Sequence, residues 1–172
     1  MKALLIVDVQ IDFCPGGALA VPQGDKVVPV INRLMDSYPL VIASQDWHPA
    51  ESAHFKRWPP HCVAGTPGAE LHPSLRRDRL EQIFKKGTGA LDDGYSAFEA
   101  TNADLDKFLR DRGVDELDVA GLATDYCVRA SALDAVRNGF RVRVIANAIA
   151  AVADADPALR EMREAGADLV EM

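Results

Sequence analysis

Three side chains in this sequence carry the groups a nucleophilic reaction needs. They are Asp8, Lys86 and Cys127, and each lies at or just past the end of a strand-like apolar run. A carboxylate can move a proton, an ammonium can hold developing negative charge, and a thiol can attack a carbonyl carbon. Cys127 sits where a helix is expected to begin, so free backbone N–H groups and the helix dipole favour an anion there. A nearby lysine would favour the thiolate further, and the Cys127 N–H could bind an oxyanion. Each residue also has an ordinary reading. Cys127 could be a small core residue, Asp8 a carboxylate capping a loop, and Lys86 a solvated lysine like its neighbour Lys85. Singly they are ambiguous; their convergence on one sheet edge points to chemistry.

A second set is made of imidazoles. All four histidines fall between His48 and His72. Asp46-x-His48, His54 and His61 offer one carboxylate and three ring nitrogens, a donor set that suits Zn²⁺, with Fe²⁺ or Mn²⁺ as alternatives. The competing reading is a group of unrelated loop histidines. His72, between Leu71 and Pro73, reads as structural. Cys62 adjoins His61, and only one of two adjacent side chains is expected to face an ion. Phe13, Trp58 and Tyr95 are loop aromatics near the same edge, placed either to stack on a flat ring or to anchor their loops.

These residues need a scaffold. Residues 3–7 form a continuous apolar run, the pattern of a strand buried on both faces. Further strands are expected at Leu40–Ser44, Gln82–Lys86, Leu117–Leu122, Arg141–Ile145 with an apolar continuation, and Asp168–Val170. Helical spacing lies between them: Val27, Ile31, Leu34 and Met35; Leu105, Phe108 and Leu109; Val128, Ala132, Ala135 and Val136; and Pro157–Ala165. Pro29 fits only in a first turn. Strands alternating with helices predict an α/β fold: a doubly wound, mostly parallel sheet of about six strands with helices on both faces. In such sheets ligands bind at the carboxyl ends of the strands. Residues 45–80 break the rhythm, with five prolines and no sustained periodicity. A long irregular segment in a compact domain is functional or disordered, and Trp47, Phe55 and Trp58 argue against disorder.

The chain has 172 residues and is expected to form one domain, 1–172. Its 26 acidic and 19 basic side chains give a net charge of −7, and no basic cluster points to nucleic acid. No run approaches a membrane span, and the apolar opening is too short for a signal peptide. Three cysteines make no disulfide framework, so a reducing, cytoplasmic setting is expected. No Gly-x-Gly-x-x-Gly follows the first strand, which disfavours a dinucleotide oxidoreductase.

Ordered motifs then carry a resemblance over nearly the full length. They are Asp8-Val-Gln10-Ile-Asp12-Phe13, Pro15-Gly-Gly-Ala-Leu19, Gln45-Asp46-Trp47-His48-Pro49, Trp58-Pro-Pro-His61-Cys62, Lys86-Gly87, Tyr95-Ser96-x-Phe98 and Gly121-Leu-Ala123-Thr-Asp-Tyr-Cys127-Val. At these positions the chain resembles the nicotinamidase/pyrazinamidase family of isochorismatase-like cysteine hydrolases. The resemblance implies a catalytic triad of Asp8, Lys86 and Cys127. It implies one divalent metal, zinc first, on Asp46, His48, His54 and His61. It implies a non-proline cis peptide at Leu122–Ala123, with the Ala123 N–H in an oxyanion hole. The implied reaction is hydrolysis of nicotinamide to nicotinate and ammonia in NAD salvage, with pyrazinamide also accepted and the ring held near Phe13, Trp58 and Tyr95. Beyond the small-molecule substrate no nucleic-acid or membrane partner is expected, and the enzyme is a monomer or homo-oligomer. One departure is the acidic loop Thr88–Gly94, longer than in some relatives. Other readings stay open: a cysteine amidase for a ureidoacrylate or carbamoyl compound, a metal-activated hydrolase in which Cys127 is incidental, or a non-catalytic metal-dependent binding protein.

Overall fold

The structure is a computed structural model and describes residues 1–172. Its centre is one sheet of six strands: β1 (Lys2–Val7), β2 (Leu40–Asp46), β3 (Gln82–Lys86), β4 (Glu116–Leu122), β5 (Arg141–Ala150) and β6 (Asp168–Val170). The order is β3-β2-β1-β4-β5-β6 and every neighbouring pair is parallel. All six strands lie where the apolar runs predict them. β1 and β4 each start one residue earlier, and two strands run on at their carboxyl ends: β2 continues to Asp46, and β5 continues past Ile145 to Ala150. That continuation is re-registered, because the pairing of β5 with β4 shifts between Val119 and Gly121.

Side chains of adjacent strand residues point to opposite faces, and each face of the sheet has its own core. Ala3, Leu5 and Val7 face α2 (Leu105–Asp111), α3 (Arg129–Arg137) and α4 (Asp156–Ala165). Leu4 and Ile6 face α1 (Val27–Leu34) and part of the long segment between β2 and β3, including Cys62, Ala69, Leu71 and Leu75. Pro29 does lie in the first turn of α1, where its missing N–H costs nothing. The β2–β3 crossover contains no α-helix. Short turns replace it, tied down by backbone bonds such as His48 N–H to Cys62 O and His72 N–H to Val9 O. So one layer of this α/β fold is partly irregular, and that layer carries the histidines.

The chain builds outward from β1 to β2 and β3, then returns to place β4 on the other side of β1. A reversal of this kind opens a crevice at the carboxyl ends of the two strands beside it. Here those are β1 and β4, which end one residue before Asp8 and one before Ala123. Gly121 permits their close approach: it has φ +114°, and a Cβ there would lie 2.1 Å from Val7 O.

Candidate active site

Four strand ends deliver the reactive groups. Asp8 follows β1, Asp46 ends β2, Lys86 ends β3, and Cys127 lies in the turn after β4. Asp8 has φ +47°, a left-handed conformation unusual for a residue with a side chain and found most often at functional sites. Residues Thr124–Val128 form a wide turn in which Val128 N–H reaches back to Ala123 O, leading into α3. The Leu122–Ala123 peptide is cis. Asp8, Lys86 and Cys127, brought together as expected, are all buried.

Lys86 is the hub. Its Nζ donates to Asp46 Oδ1 at 2.5 Å, Gly94 O at 3.1 Å and Cys127 Sγ at 3.3 Å. An ammonium has three protons, and these partners use them. Asp8 Oδ2 is 2.8 Å from the same nitrogen as an ion pair, yet it has no hydrogen-bond donor. Asp8 Oδ1 is satisfied by Ser44 Oγ at 2.7 Å. One carboxylate oxygen is thus left as a free acceptor beside the thiol.

Burial and charge push these groups apart. Burial raises the Asp8 carboxyl above its ordinary pKa against the pull of Lys86. Burial acts on Asp46 in the same sense, but Lys86 and then His48 outweigh it and hold Asp46 well below the usual carboxylate range. Burial would discharge Lys86, and Asp46 and Asp8 reverse that, so it stays firmly charged. Burial pushes the Cys127 thiol well up, more than Lys86 pulls it down. Two neighbouring carboxyls tuned in opposite directions are the pattern that assigns acid–base roles: Asp8 is fitted to exchange a proton, and Asp46 to remain an anion.

Beside this cluster, single donor atoms of Asp46, His48 and His61 lie within 4.8 Å of one another. His48 Nδ1 is 2.8 Å from Gly87 O, and His61 Nδ1 is 2.8 Å from Pro59 O. A carbonyl only accepts, so both rings carry a proton on Nδ1 and turn Nε2 the other way. His48 Nε2 is buried without a hydrogen-bond partner, 3.3 Å from Asp46 Oδ2. Either a proton on Nε2 or a metal ion held between the two atoms satisfies both. The two-nitrogen, one-oxygen set fits a divalent first-row metal. Gly87 allows the arrangement: with φ +63°, a Cβ there would lie 2.5 Å from His48 Cε1.

His54 stands apart from the expected four ligands. Its ring centroid is 4.4 Å from that of His48, but its Nδ1 lies 3.1 Å from Asp92 Oδ1 and its Nε2 2.6 Å from Asp93 O. The acidic loop supplies competing acceptors for both nitrogens. Cys62 is buried in the second core, and its side chain is not among the clustered donors.

Beside the two clusters lies a small, partly enclosed, mostly apolar pocket. The predicted aromatics Phe13, Trp58 and Tyr95 line it, as do Asp46, His54, His61, Ala123 and Cys127. Trp58 Nε1 donates to Tyr95 OH at 3.4 Å, and Tyr95 OH donates to Asp92 Oδ1 at 2.9 Å. Sequence reasoning missed Leu19, Val21, Gly94, Tyr126 and Val152, which complete the lining. Tyr126 was the findable one: it adjoins the nucleophile in a strand-end turn and meets Trp58 edge-on at 5.1 Å between centroids. Val152 owes its place to Asp125, whose carboxylate accepts the Val152 and Ala153 N–H groups at 2.9 and 3.0 Å.

Comparison with known proteins places the chain in a family. The family model described as "Isochorismatase domain" matches residues 2–172. The chain is 47% identical to the nicotinamidase/pyrazinamidase of Mycobacterium tuberculosis, over 99% of this chain and 98% of that one. It superposes on the pyrazinamidase of Pyrococcus horikoshii in complex with zinc with TM-score 0.91 and 42% identity, covering 99% of each chain. It superposes on PnC1 from L. infantum in complex with nicotinate with TM-score 0.94 and 37% identity, covering 99% of this chain and 92% of that one.

Proposed function

The chain belongs to the isochorismatase family, and from that premise we propose that it is a nicotinamidase, an amidohydrolase that converts nicotinamide to nicotinate and ammonia and also takes pyrazinamide. The observation that carries the reading is the buried Asp8–Lys86–Cys127 cluster, whose thiol lines a pocket that Asp46 and His61 of the neighbouring donor set also line.

Asp8 takes the proton of Cys127 as sulfur attacks the carboxamide carbon. Lys86 holds the charge on both partners, so the proton moves without leaving an isolated anion in a buried site. The N–H groups of Ala123 and Cys127 receive the oxyanion. Asp8 returns the proton to the leaving nitrogen and ammonia departs, leaving a thioester. Asp8 then deprotonates a water that attacks the thioester carbon; nicotinate leaves, and Cys127 regains its proton. Phe13, Trp58 and Tyr95 confine the ring. Asp46, His48 and His61 would hold the divalent ion, assigned as zinc on this donor set, and the ion supplies a Lewis-acid anchor for the ring nitrogen of the substrate.

The test is ammonia release from nicotinamide by wild type and by Cys127→Ala. Wild type is expected to release one ammonia per nicotinate formed. The variant is expected to lose about 10⁴- to 10⁶-fold in kcat, as when other covalent nucleophiles are removed. A folded, zinc-loaded wild type that leaves nicotinamide intact but cleaves a carbamoyl amide overturns the substrate assignment.

A further inference from the structure

Two polar side chains just past β1 touch none of the reacting groups, yet each is bonded to the backbone at a metal-ligand position. Gln10 is fully buried. Its Oε1 accepts the Asp46 N–H at 2.9 Å, and its Nε2 donates to Asp46 O at 2.9 Å and to Ala69 O at 2.8 Å. The β1–β2 ladder has run out by this point, its last paired residues being Ile6 and Ala43. The Gln10 amide replaces the missing strand, satisfying both peptide groups of Asp46 and tying them to the loop at Ala69.

Asp12 acts on the backbone beside a second ligand, His61. Its Oδ2 accepts the Cys62 N–H at 2.8 Å and its Oδ1 the Ala18 N–H at 3.2 Å. The Cys62 N–H belongs to the peptide that joins it to His61, and Cys62 holds φ +46°. A side chain in that left-handed region needs its surroundings to keep it there. Gly68 closes over the carboxylate so tightly that a Cβ would lie 2.2 Å from Asp12 Oδ2. The carboxylate is thus locked between two loops and aimed at the backbone that presents His61.

We propose that Gln10 and Asp12 are positioning residues for the metal: through the backbone they hold Asp46 and His61 in the triangle the cation needs. The inference rests on the metal assignment made above. Groups behind the ligands commonly change metal affinity by about 10–100-fold when removed.

The experiment uses the full chain, stripped by a chelator and titrated with Zn²⁺ against a chromophoric competitor. The variants are Gln10→Glu and Asp12→Asn, which keep side-chain volume and act on different ligands, so either one, folded, decides. The control is Tyr38→Phe, which removes a buried hydroxyl bonded to Asp118, a β4 residue level with Leu4 of β1. Both variants are expected to bind zinc about 10–100-fold more weakly and to recover ammonia release when zinc is raised. Zinc affinity is read on metal-free variants shown to be folded by circular dichroism, and Tyr38→Phe should bind zinc like wild type. Wild-type zinc affinity in a folded variant, or an equal loss of affinity in Tyr38→Phe, overturns the inference alone. A wild type that takes up no divalent ion overturns the metal assignment as well.

Discussion

The two walls of the pocket solve the problem of buried polarity in opposite ways. The thiol wall closes its charges on one another: Lys86 is shared among Asp8, Asp46 and Cys127, and each of these sits at or beside a strand end of a rigid parallel sheet. The histidine wall is left open. Its rings are fixed by carbonyls at Nδ1, and their other nitrogens converge with Asp46 on a site fitted to a divalent cation. One wall pairs its charges within the chain; the other is suited to take up an ion. Asp46 belongs to both, and its low pKa keeps it an anion for each.

Removing the cation of the thiol wall should have the largest effect. In Lys86→Met two buried carboxyls lose their counter-charge, and breaking a buried pair this way costs about 3–5 kcal/mol. Urea unfolding is expected to show that loss together with abolished turnover. Lys86 binds its proton more tightly folded than unfolded, so its contribution is complete below the unfolded lysine pKa of about 10.4 and is lost as pH rises through the higher folded value. The difference between wild type and variant should therefore be constant from neutral pH to about 10 and shrink above it. A difference that vanishes by pH 8 would contradict the closed circuit.

Stripping the metal should have the next largest effect, confined to the open wall. Zinc at about 100 times its Kd adds about 2.7 kcal/mol to a fold that binds it only when native. The stripped protein is expected to melt at lower temperature and to recover with added zinc. Equal Tm with and without zinc would mean that the histidine wall is complete by itself. The smallest effect belongs to the aromatic rim shared by both walls. Trp58→Ala is expected to raise KM by about 2- to 13-fold, the equivalent of ~0.5–1.5 kcal/mol for one aromatic contact, with kcat little changed. Steady-state kinetics with nicotinamide reads this directly, and an unchanged KM would remove Trp58 from the ring site.

The contrast also explains what the sequence disclosed. Strand ends are fixed by periodicity, so an apolar run that stops at Asp8 or at Lys86 already locates those residues on one edge. Cys127 is legible for the same reason, four residues into the turn that begins at Ala123. The irregular wall obeys no such rule. His48 and His54 are both candidates by residue type, with His54 the weaker because it lacks the adjacent carboxylate of Asp46-x-His48. Bonds to distant residues separate them further: Gly87 O turns His48 toward Asp46, while Asp92 and Asp93 draw His54 away. Gln10 looks like any polar residue after a strand, and its role comes from a partner 36 positions away. Val152 is invisible for a similar reason, since its place in the pocket depends on a carboxylate at Asp125.

The raised pKa of Cys127 reaches beyond turnover. Peroxide and disulfides react with thiolates, and a thiol held protonated by burial presents almost none at neutral pH. Without substrate the nucleophile is therefore expected to react slowly with peroxide and with thiol-trapping reagents at neutral pH, and to become an anion as attack begins. The rate of thiol trapping with and without nicotinamide reads this.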